Sequence, residues 1–167
     1  MAAESHAKQS TVTRVDDVDL DVLEDTLSFF IRSLNLAVSR DLDARLDGLD
    51  VARGTGKVTA LFLIGRHPGI RPSVIAAAAM MDRSAIGRVL DGMERHGLVR
   101  REPDSEDGRV QALFLTEAGE TLAAEVRAIV RESRAFFHDM SDSEYAQVVD
   151  LLRNIYWRIV KSHSGRG

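Results

Sequence analysis

Arginine is concentrated between residues 66 and 101, which hold seven arginines against three acidic residues, a local net charge of +4. The flanking residues 1–47 and 102–140 each sum to −5, and the whole chain sums to −4. Guanidinium groups bind phosphate, and they pair with guanine through two hydrogen bonds. A basic segment between acidic ones is typical of a focused DNA-contact surface, although arginine also serves simply to solubilise a helix.

Other residue types offer little chemistry. The chain has no cysteine, which excludes thiol nucleophiles, thiolate metal sites and disulfides. Its five histidines lack the spacing of metal ligands. Gly54-Thr55-Gly56-Lys57 looks like a fragment of a phosphate-binding loop, but Val51 replaces the required first glycine and Val58 the magnesium-binding Ser or Thr. We therefore expect no enzyme, no catalytic residues, no cofactor and no metal site.

Length and composition limit the architecture. A chain of 167 residues with 44% apolar residues forms one sizeable domain, or a small domain with an attached dimerisation element. Neither a signal peptide nor an apolar run of 18 residues is present, so we expect a soluble, cytoplasmic protein that does not contact a membrane. The polar residues 1–19 and 163–167 are predicted to be flexible tails.

Two short helical patterns and a hairpin pattern surround the arginines. Pro72 suits the first position of a helix, and the alanines at 76–79 allow a second helix to approach closely. Asp82 can cap that second helix, which Gly97 ends, with a buried face formed by Ile86, Val89, Leu90 and Met93. Residues 98–101 and 111–115 suit short strands around a turn-rich tip at 102–109. This order predicts a winged helix-turn-helix over residues 53–116.

Longer amphipathic patterns lie at both ends of the chain. One helix is predicted from Leu20 to about Leu46, and a shorter one from Lys57 to about Arg66 with Thr55 as its N-cap. Thr116 caps a helix that runs to about His138, and the capping box at 141–144 starts the last helix. These helices carry more apolar surface than a small winged domain covers. Residues 20–47 and 117–162 are therefore predicted to form a dimerisation region, the alternative being a monomeric helical bundle. The predicted fold class is mainly α with a small β-hairpin wing.

These motifs together resemble the multiple antibiotic resistance regulator (MarR) family of dimeric winged-helix proteins. The matching residues are Pro68-Gly69, Ile75-Ala76 and the runs 84–88, 90–101, 107–109 and 113–119. The wing Asp-x-Arg followed by Leu-x-Leu-Thr-x-x-Gly is the most specific part. The sequence departs from the family at Arg53-Gly54, where a Leu-Thr pair is usual, and at Gly108, where many members carry a second Arg.

Position and resemblance together give the candidate DNA contacts. A cap at Asp82 places Arg83 and Ser84 at the end of the helix that enters the major groove. Arg88 is the best candidate for a base or phosphate contact, unless it pairs with Asp91 or Glu94 along the helix. The resemblance implies that the wing Asp, here Asp107, orients the wing Arg, here Arg109, toward DNA. The alternative is that the two residues only stabilise the hairpin. The full set is Arg83, Ser84, Arg88, Arg95, Arg101, Asp107 and Arg109.

The resemblance also implies a ligand-controlled switch. Family members bind small molecules such as aromatic acids in a cleft between the dimerisation helices and the winged domain, which changes the spacing of the two recognition helices. The candidate cleft residues are Ser28, Phe29, Arg32, Arg40, Lys57 and Leu61, although Phe29 also suits a core position and Arg32 a surface ion pair. We expect a homodimeric repressor that binds a pseudo-palindromic operator in double-stranded DNA. A small effector is expected to release the repressor from this operator. The alternative is a winged-helix module for protein–protein contact without specific DNA binding.

Overall fold

The computed structural model describes residues 12–103 and 110–164, which form six α-helices and a two-stranded sheet. The helices are α1 (Leu27–Arg45), α2 (Thr55–Arg66), α3 (Pro72–Ala78), α4 (Arg83–Arg95), α5 (Glu117–Glu132) and α6 (Asp142–Ser164). The antiparallel strands are β1 (Val99–Pro103) and β2 (Gln111–Leu115), with Val99 opposite Leu115. This element order confirms the predicted, mainly helical fold class with a hairpin.

The chain divides between Leu36 and Ala37 into two units. In the first unit, two short 3₁₀ turns, Val15–Asp17 and Asp21–Leu23, precede α1. The predicted helix start at Leu20 is wrong, because Asp21 has a φ of +50° and its N–H donates to the Asp19 carboxylate at 2.8 Å. A left-handed residue interrupts a right-handed helix, so regular α-helix begins only at Leu27.

The core of the second unit is built from the apolar faces of its helices and of the hairpin. Its fully buried large side chains are Leu46, Val51, Leu61, Ile64, Ile75, Ile86, Leu90, Met93, Leu113 and Val126. Three of the four buried positions predicted for α4 are in this set, and Val89 is half-buried. Burying each such side chain contributes roughly 1.5–3 kcal/mol, so α4 is held by its inner face and its outer face is left for other contacts.

Local capping signals account for most of the helix boundaries. Thr116 accepts from the Gly119 N–H at 3.1 Å, as predicted. The predicted capping box of α6 is present, since Ser141 N–H donates to the Glu144 carboxylate at 2.8 Å and Glu144 N–H donates to the Ser141 hydroxyl at 3.3 Å. The predicted Thr55 cap is wrong: α2 already includes Thr55, and its N-cap is Gly54 with a φ of +155°.

The two C-terminal helices differ slightly from their predicted lengths. Regular α5 ends at Glu132 and tightens into a 3₁₀ turn over Ser133–Phe137, where one helix to about His138 was predicted. Helix α6 continues to Ser164, which extends it into the predicted tail. Within residues 12–103 and 110–164, none of the helices is both long and apolar enough to cross a membrane.

Candidate nucleic-acid interface

The N-terminus of α4 is fixed by the predicted Asp82 cap. The Asp82 carboxylate accepts from the Ala85 N–H at 2.6 Å and from the Ser84 hydroxyl at 2.7 Å. Hydrogen bonds to the charged form, first from Ser84 and then from Ala85, lower the pKa of Asp82, and the charge of Arg88 acts in the same direction. The carboxylate therefore stays ionised at neutral pH and holds the first turn of α4 in a single geometry.

The outward face of α4 carries four of the candidate DNA contacts, and all four are exposed: Arg83, Ser84, Arg88 and Arg95. The Arg88 guanidinium lies 3.5 Å from the Ser84 hydroxyl, and Arg95 Nε donates to the Asp91 carbonyl at 3.3 Å. Among the described residues, neither Arg83 nor Arg88 takes part in an ion pair. The alternative that pairs Arg88 with Asp91 or Glu94 does not apply, because both carboxylates contact Arg101 instead.

Arg101 is the candidate whose surroundings least resemble those of an exposed DNA contact. Its Nη2 donates to an Asp91 carboxylate oxygen at 2.5 Å. Its buried Nε lies at ion-pair distance from Glu94, 3.2 Å, but without the geometry of a hydrogen bond, and only 24% of the side chain is exposed. These contacts join β1 to the outer edge of α4. The neighbouring Arg100 points to the other side of the strand, where its guanidinium lies 4.6 Å from the centre of the Phe114 ring and pairs with Glu102.

The base of the wing is anchored by backbone contacts. Strand β2 pairs on its free edge with Ile70, whose carbonyl accepts from the Leu113 N–H at 3.1 Å. On the other side, the Thr116 N–H donates to the Leu98 carbonyl at 3.0 Å. A Cβ on Gly119 would lie 2.1 Å from that same carbonyl oxygen, so the glycine of the Leu-x-Leu-Thr-x-x-Gly motif permits the first turn of α5 to meet β1. Asp107 and Arg109 lie outside the described residues.

The turn between α3 and α4 contains a feature that the sequence conceals. Met80 has a φ of +54°, a left-handed conformation that glycine or asparagine normally supplies. The adjacent Met81 packs its sulfur against α2, where a Cβ on Gly56 would lie 2.9 Å from it. The turn is held by two backbone bonds, from the Met80 N–H to the Ala77 carbonyl at 3.2 Å and from the Met81 N–H to the Ala76 carbonyl at 2.9 Å. No glycine or asparagine marks this helix end in the sequence.

The candidate ligand residues fall in different parts of the chain. In residues 12–36, Ser28 and Arg32 are exposed, and Phe29 packs edge-on against Phe30 at 5.3 Å. In residues 37–164, Arg40 is exposed and Leu61 is fully buried in the core. Lys57 is half-buried and its ammonium donates to the carbonyls of the preceding loop, at 3.1 Å for Asp50. One of these three candidate ligand residues of the second unit, Lys57, lines a cavity.

That cavity has a volume of about 420 Å³ and lies between the N-terminus of α2 and one side of α4. Basic groups at its rim are Lys57, Arg88, Arg95 and His96, and its apolar lining is formed by Met81, Val89, Met93 and Leu98. The His96 ring lies 3.0 Å from the Asp50 carboxylate, which connects the end of α4 to the loop before α2. The two residues are 46 positions apart in the chain, so local sequence patterns do not indicate this contact.

Comparison with known proteins agrees with this geometry. The model of the MarR family matches residues 56–110, from the first turn of α2 to the residue before β2. A candidate transcriptional regulatory protein for the hcr operon of Thauera aromatica is 30% identical over 131 residues, which span 78% of each chain. The chain belongs to the MarR family. It is therefore a transcriptional regulator with a DNA-binding fold, and the proteins that it matches are regulators rather than enzymes.

Two solved structures show how far the MarR fold extends along the chain. A mutant MarR from E. coli in complex with operator DNA gives a TM-score of 0.72 at 24% identity, covering 83% of this chain and 99% of that one. CouR from Rhodococcus jostii, bound to p-coumaroyl-CoA, gives a TM-score of 0.70 at 25% identity, covering 81% and 95%. The likeness covers about four-fifths of the chain, so it extends well beyond residues 56–110.

Proposed function

We propose that the chain is a homodimeric, cytoplasmic repressor that binds a pseudo-palindromic operator and is released by a small anionic ligand. The observation that carries the DNA-binding part is the outward face of α4, where Arg83 and Arg88 are exposed and, among the described residues, outside every ion pair, beside a capped helix N-terminus. Exposed guanidiniums at this end of a recognition helix bind phosphates and guanine edges without first breaking an internal pair.

Each contact has a separate role in this proposal. Arg88 reads a base, preferably guanine through its paired N–H groups, while Arg83 and Ser84 bind phosphate with the help of the helix dipole. Arg95, at the C-terminal end of α4, contacts the DNA backbone. On the wing, Asp107 orients Arg109 toward the minor groove or the sugar-phosphate backbone. Arg101 affects DNA binding chiefly by positioning α4, because its guanidinium is already paired with two carboxylates of that helix.

Dimerisation is supported by apolar side chains that the single chain leaves uncovered. On α6 these are Val148, Leu151, Leu152, Trp157 and Ile159, each more than 40% exposed. On α1 they are Leu27, Phe30, Ile31, Leu34 and Leu36. Several large apolar side chains exposed along one helix mark an interface. We assign residues 20–47 and 117–162 to it, and a two-fold dimer then presents two recognition helices to half-sites about one DNA turn apart.

The cavity beside α4 supplies a place for the releasing ligand. Its apolar lining suits an aromatic or acyl group, and Lys57 and Arg88 suit a carboxylate or phosphate. CouR, which shares the fold, is bound to p-coumaroyl-CoA, an aromatic acyl thioester with an anionic carrier. A ligand that engages Arg88 removes one DNA contact directly, which links occupancy of the cavity to release of the operator.

The DNA-binding part of the proposal is tested by replacing Arg88 and Arg109 with alanine in the same variant. A duplex selected from a random pool by the wild-type protein serves as the probe. We expect Arg88→Ala with Arg109→Ala to lower affinity by at least about 100-fold, and to flatten the salt dependence by about 0.9 for each phosphate that the variant no longer neutralises. The control is Arg66→Ala, an exposed arginine of the same basic segment at the end of α2. Unchanged binding by the double variant, or binding independent of salt, contradicts the proposal and favours the protein–protein module.

A further inference from the structure

The C-terminal end of α3 has one carbonyl whose partner comes from a distant helix. The carbonyls of residues 75, 76 and 77 accept hydrogen bonds from the backbone of the following turn. The carbonyl of Ala78 instead accepts from the phenol hydroxyl of Tyr156 on α6, at 2.8 Å. The last carbonyls of a helix lack partners within it, so a side chain that donates to one of them stabilises that end of the helix.

This bond reaches the most strained part of the helix-turn-helix. Met80, two residues beyond Ala78, has the left-handed φ of +54°, a conformation that residues with a side chain rarely adopt. Two backbone bonds hold this conformation, from Met80 to the Ala77 carbonyl and from Met81 to the Ala76 carbonyl, and the Tyr156 hydroxyl adds a third bond at the next carbonyl along the chain. Since Asp82 caps α4 two residues later, any change in the turn alters where the recognition helix begins.

The same face of α6 continues along the helix-turn-helix. Val160, one turn after Tyr156, is 8% exposed, and with His163 it lines a small cavity against Ala77 and Arg83. The Tyr156 ring also packs edge-on against Trp157 at 5.0 Å, and Trp157 is among the exposed apolar residues assigned above to the dimer interface. One short segment of α6 thus contacts the turn of the helix-turn-helix and also contributes to the uncovered apolar surface.

We propose that Tyr156 is a positioning residue that sets the recognition helix relative to the dimerisation region through its hydrogen bond to Ala78. The inference rests on the proposed function, because positioning matters only where two recognition helices must match two half-sites. The hydroxyl restricts the Met80 turn, and through it the direction of α4. A shift of α6 within the dimer is transmitted to the turn by the same bond.

The experiment removes only the hydroxyl, with Tyr156→Phe in the full chain. Tyr145→Phe is the matched control: it is the one other tyrosine of the chain, also on α6, and it makes ring contacts with Phe137 and Arg134. Hydrogen–deuterium exchange across residues 79–82 and binding to duplexes whose half-site spacing varies in single base-pair steps are the two readouts. Circular dichroism and dimer mass confirm that the variants are folded.

We expect Tyr156→Phe to exchange about three- to tenfold faster at residues 79–82, in line with the removal of one hydrogen bond, while Tyr145→Phe does not. The wild type should prefer one spacing, and Tyr156→Phe should discriminate less among spacings. Unchanged exchange in Tyr156→Phe overturns the inference. Faster exchange with an unchanged spacing preference also overturns it, since the bond is then merely structural. If the wild type selects no duplex at all, the proposed function fails, whereas the exchange result still decides whether the bond restricts the turn.

Discussion

The outward face of α4 and the base of the wing both carry arginine, but the two regions use it differently. Arg88 on α4 is exposed and outside every ion pair of the described residues, whereas Arg101 on β1 is 24% exposed and bound by Asp91 and Glu94. A count of arginines along the sequence treats the two as equal. The structure separates an exposed arginine, which we propose contacts DNA, from one that ties β1 to α4.

The largest expected effect comes from the anchored region, at Gly119. A Cβ there would lie 2.1 Å from the Leu98 carbonyl oxygen, and because that atom is backbone there is little room to relax. We expect Gly119→Ala to lower the free energy of unfolding by about 3 kcal/mol, measured by urea denaturation at fixed protein concentration. Gly87→Ala on α4 is the control, because its Cβ meets nothing within 4 Å. There we expect a change within about 1 kcal/mol, in the stabilising direction. Equal losses of stability at both positions would remove the distinction between an anchored and an open region.

A smaller effect separates the two arginines directly. Arg101→Met keeps the aliphatic stem and should lower stability by about 1 kcal/mol, since it releases both carboxylates. Arg88→Met should change stability by less than about 0.5 kcal/mol. Double-mutant cycles with Asp91→Asn refine the comparison: we expect coupling for Arg101 and none for Arg88. Coupling of the same size for both arginines would show that Arg88 is engaged within the protein and is not reserved for DNA.

Local signals in the sequence predicted much of this framework. The Asp82 cap, the Gly97 helix end and the 141–144 capping box each depend on residues within a few positions of one another, so their types suffice to predict them. The Thr55 cap and the helix start at Leu20 failed, because the backbone at Gly54 and Asp21 takes left-handed conformations that compete with the helical pattern.

Long-range contacts could not be predicted in the same way. The two carboxylates of Arg101 lie on another element, and the Tyr156 hydroxyl bonds a carbonyl 78 residues away. Which arginines of a basic segment are available to DNA depends on such contacts. The sequence identified the segment and favoured Arg88, but it gave no sign that Arg101 is paired with two carboxylates. The left-handed Met80 is a different case, because local backbone bonds to Ala76 and Ala77 hold its conformation and its residue type gives no sign of them.

The smallest expected effect is on the pH dependence of the stability that Asp82 contributes. It tests whether the neighbouring Arg88 is available for DNA. Hydrogen bonds from Ser84 and Ala85, followed by the charge of Arg88, lower the pKa of Asp82 below its ordinary value of 3.8. A lowered folded-state pKa gives stability that is fully present above the unfolded-state pKa and is lost as the pH falls through the folded pKa. The stability advantage of the wild type over Asp82→Asn should therefore be constant near neutral pH and shrink below about pH 4 in urea titrations.

The same pH dependence, measured in the Arg88→Met background, tests the comparison between Arg88 and Arg101. Because Ser84 and Ala85 contribute more than Arg88, most of the acid-dependent advantage should survive the removal of the guanidinium. Glu144→Gln at the start of α6 is the control, since its pKa is lowered by Ser141 and not by any arginine. If the Asp82 dependence disappears in Arg88→Met while that of Glu144 persists, Arg88 is committed to the helix cap. It would then have to break that contact to reach DNA, as Arg101 would have to leave its carboxylates.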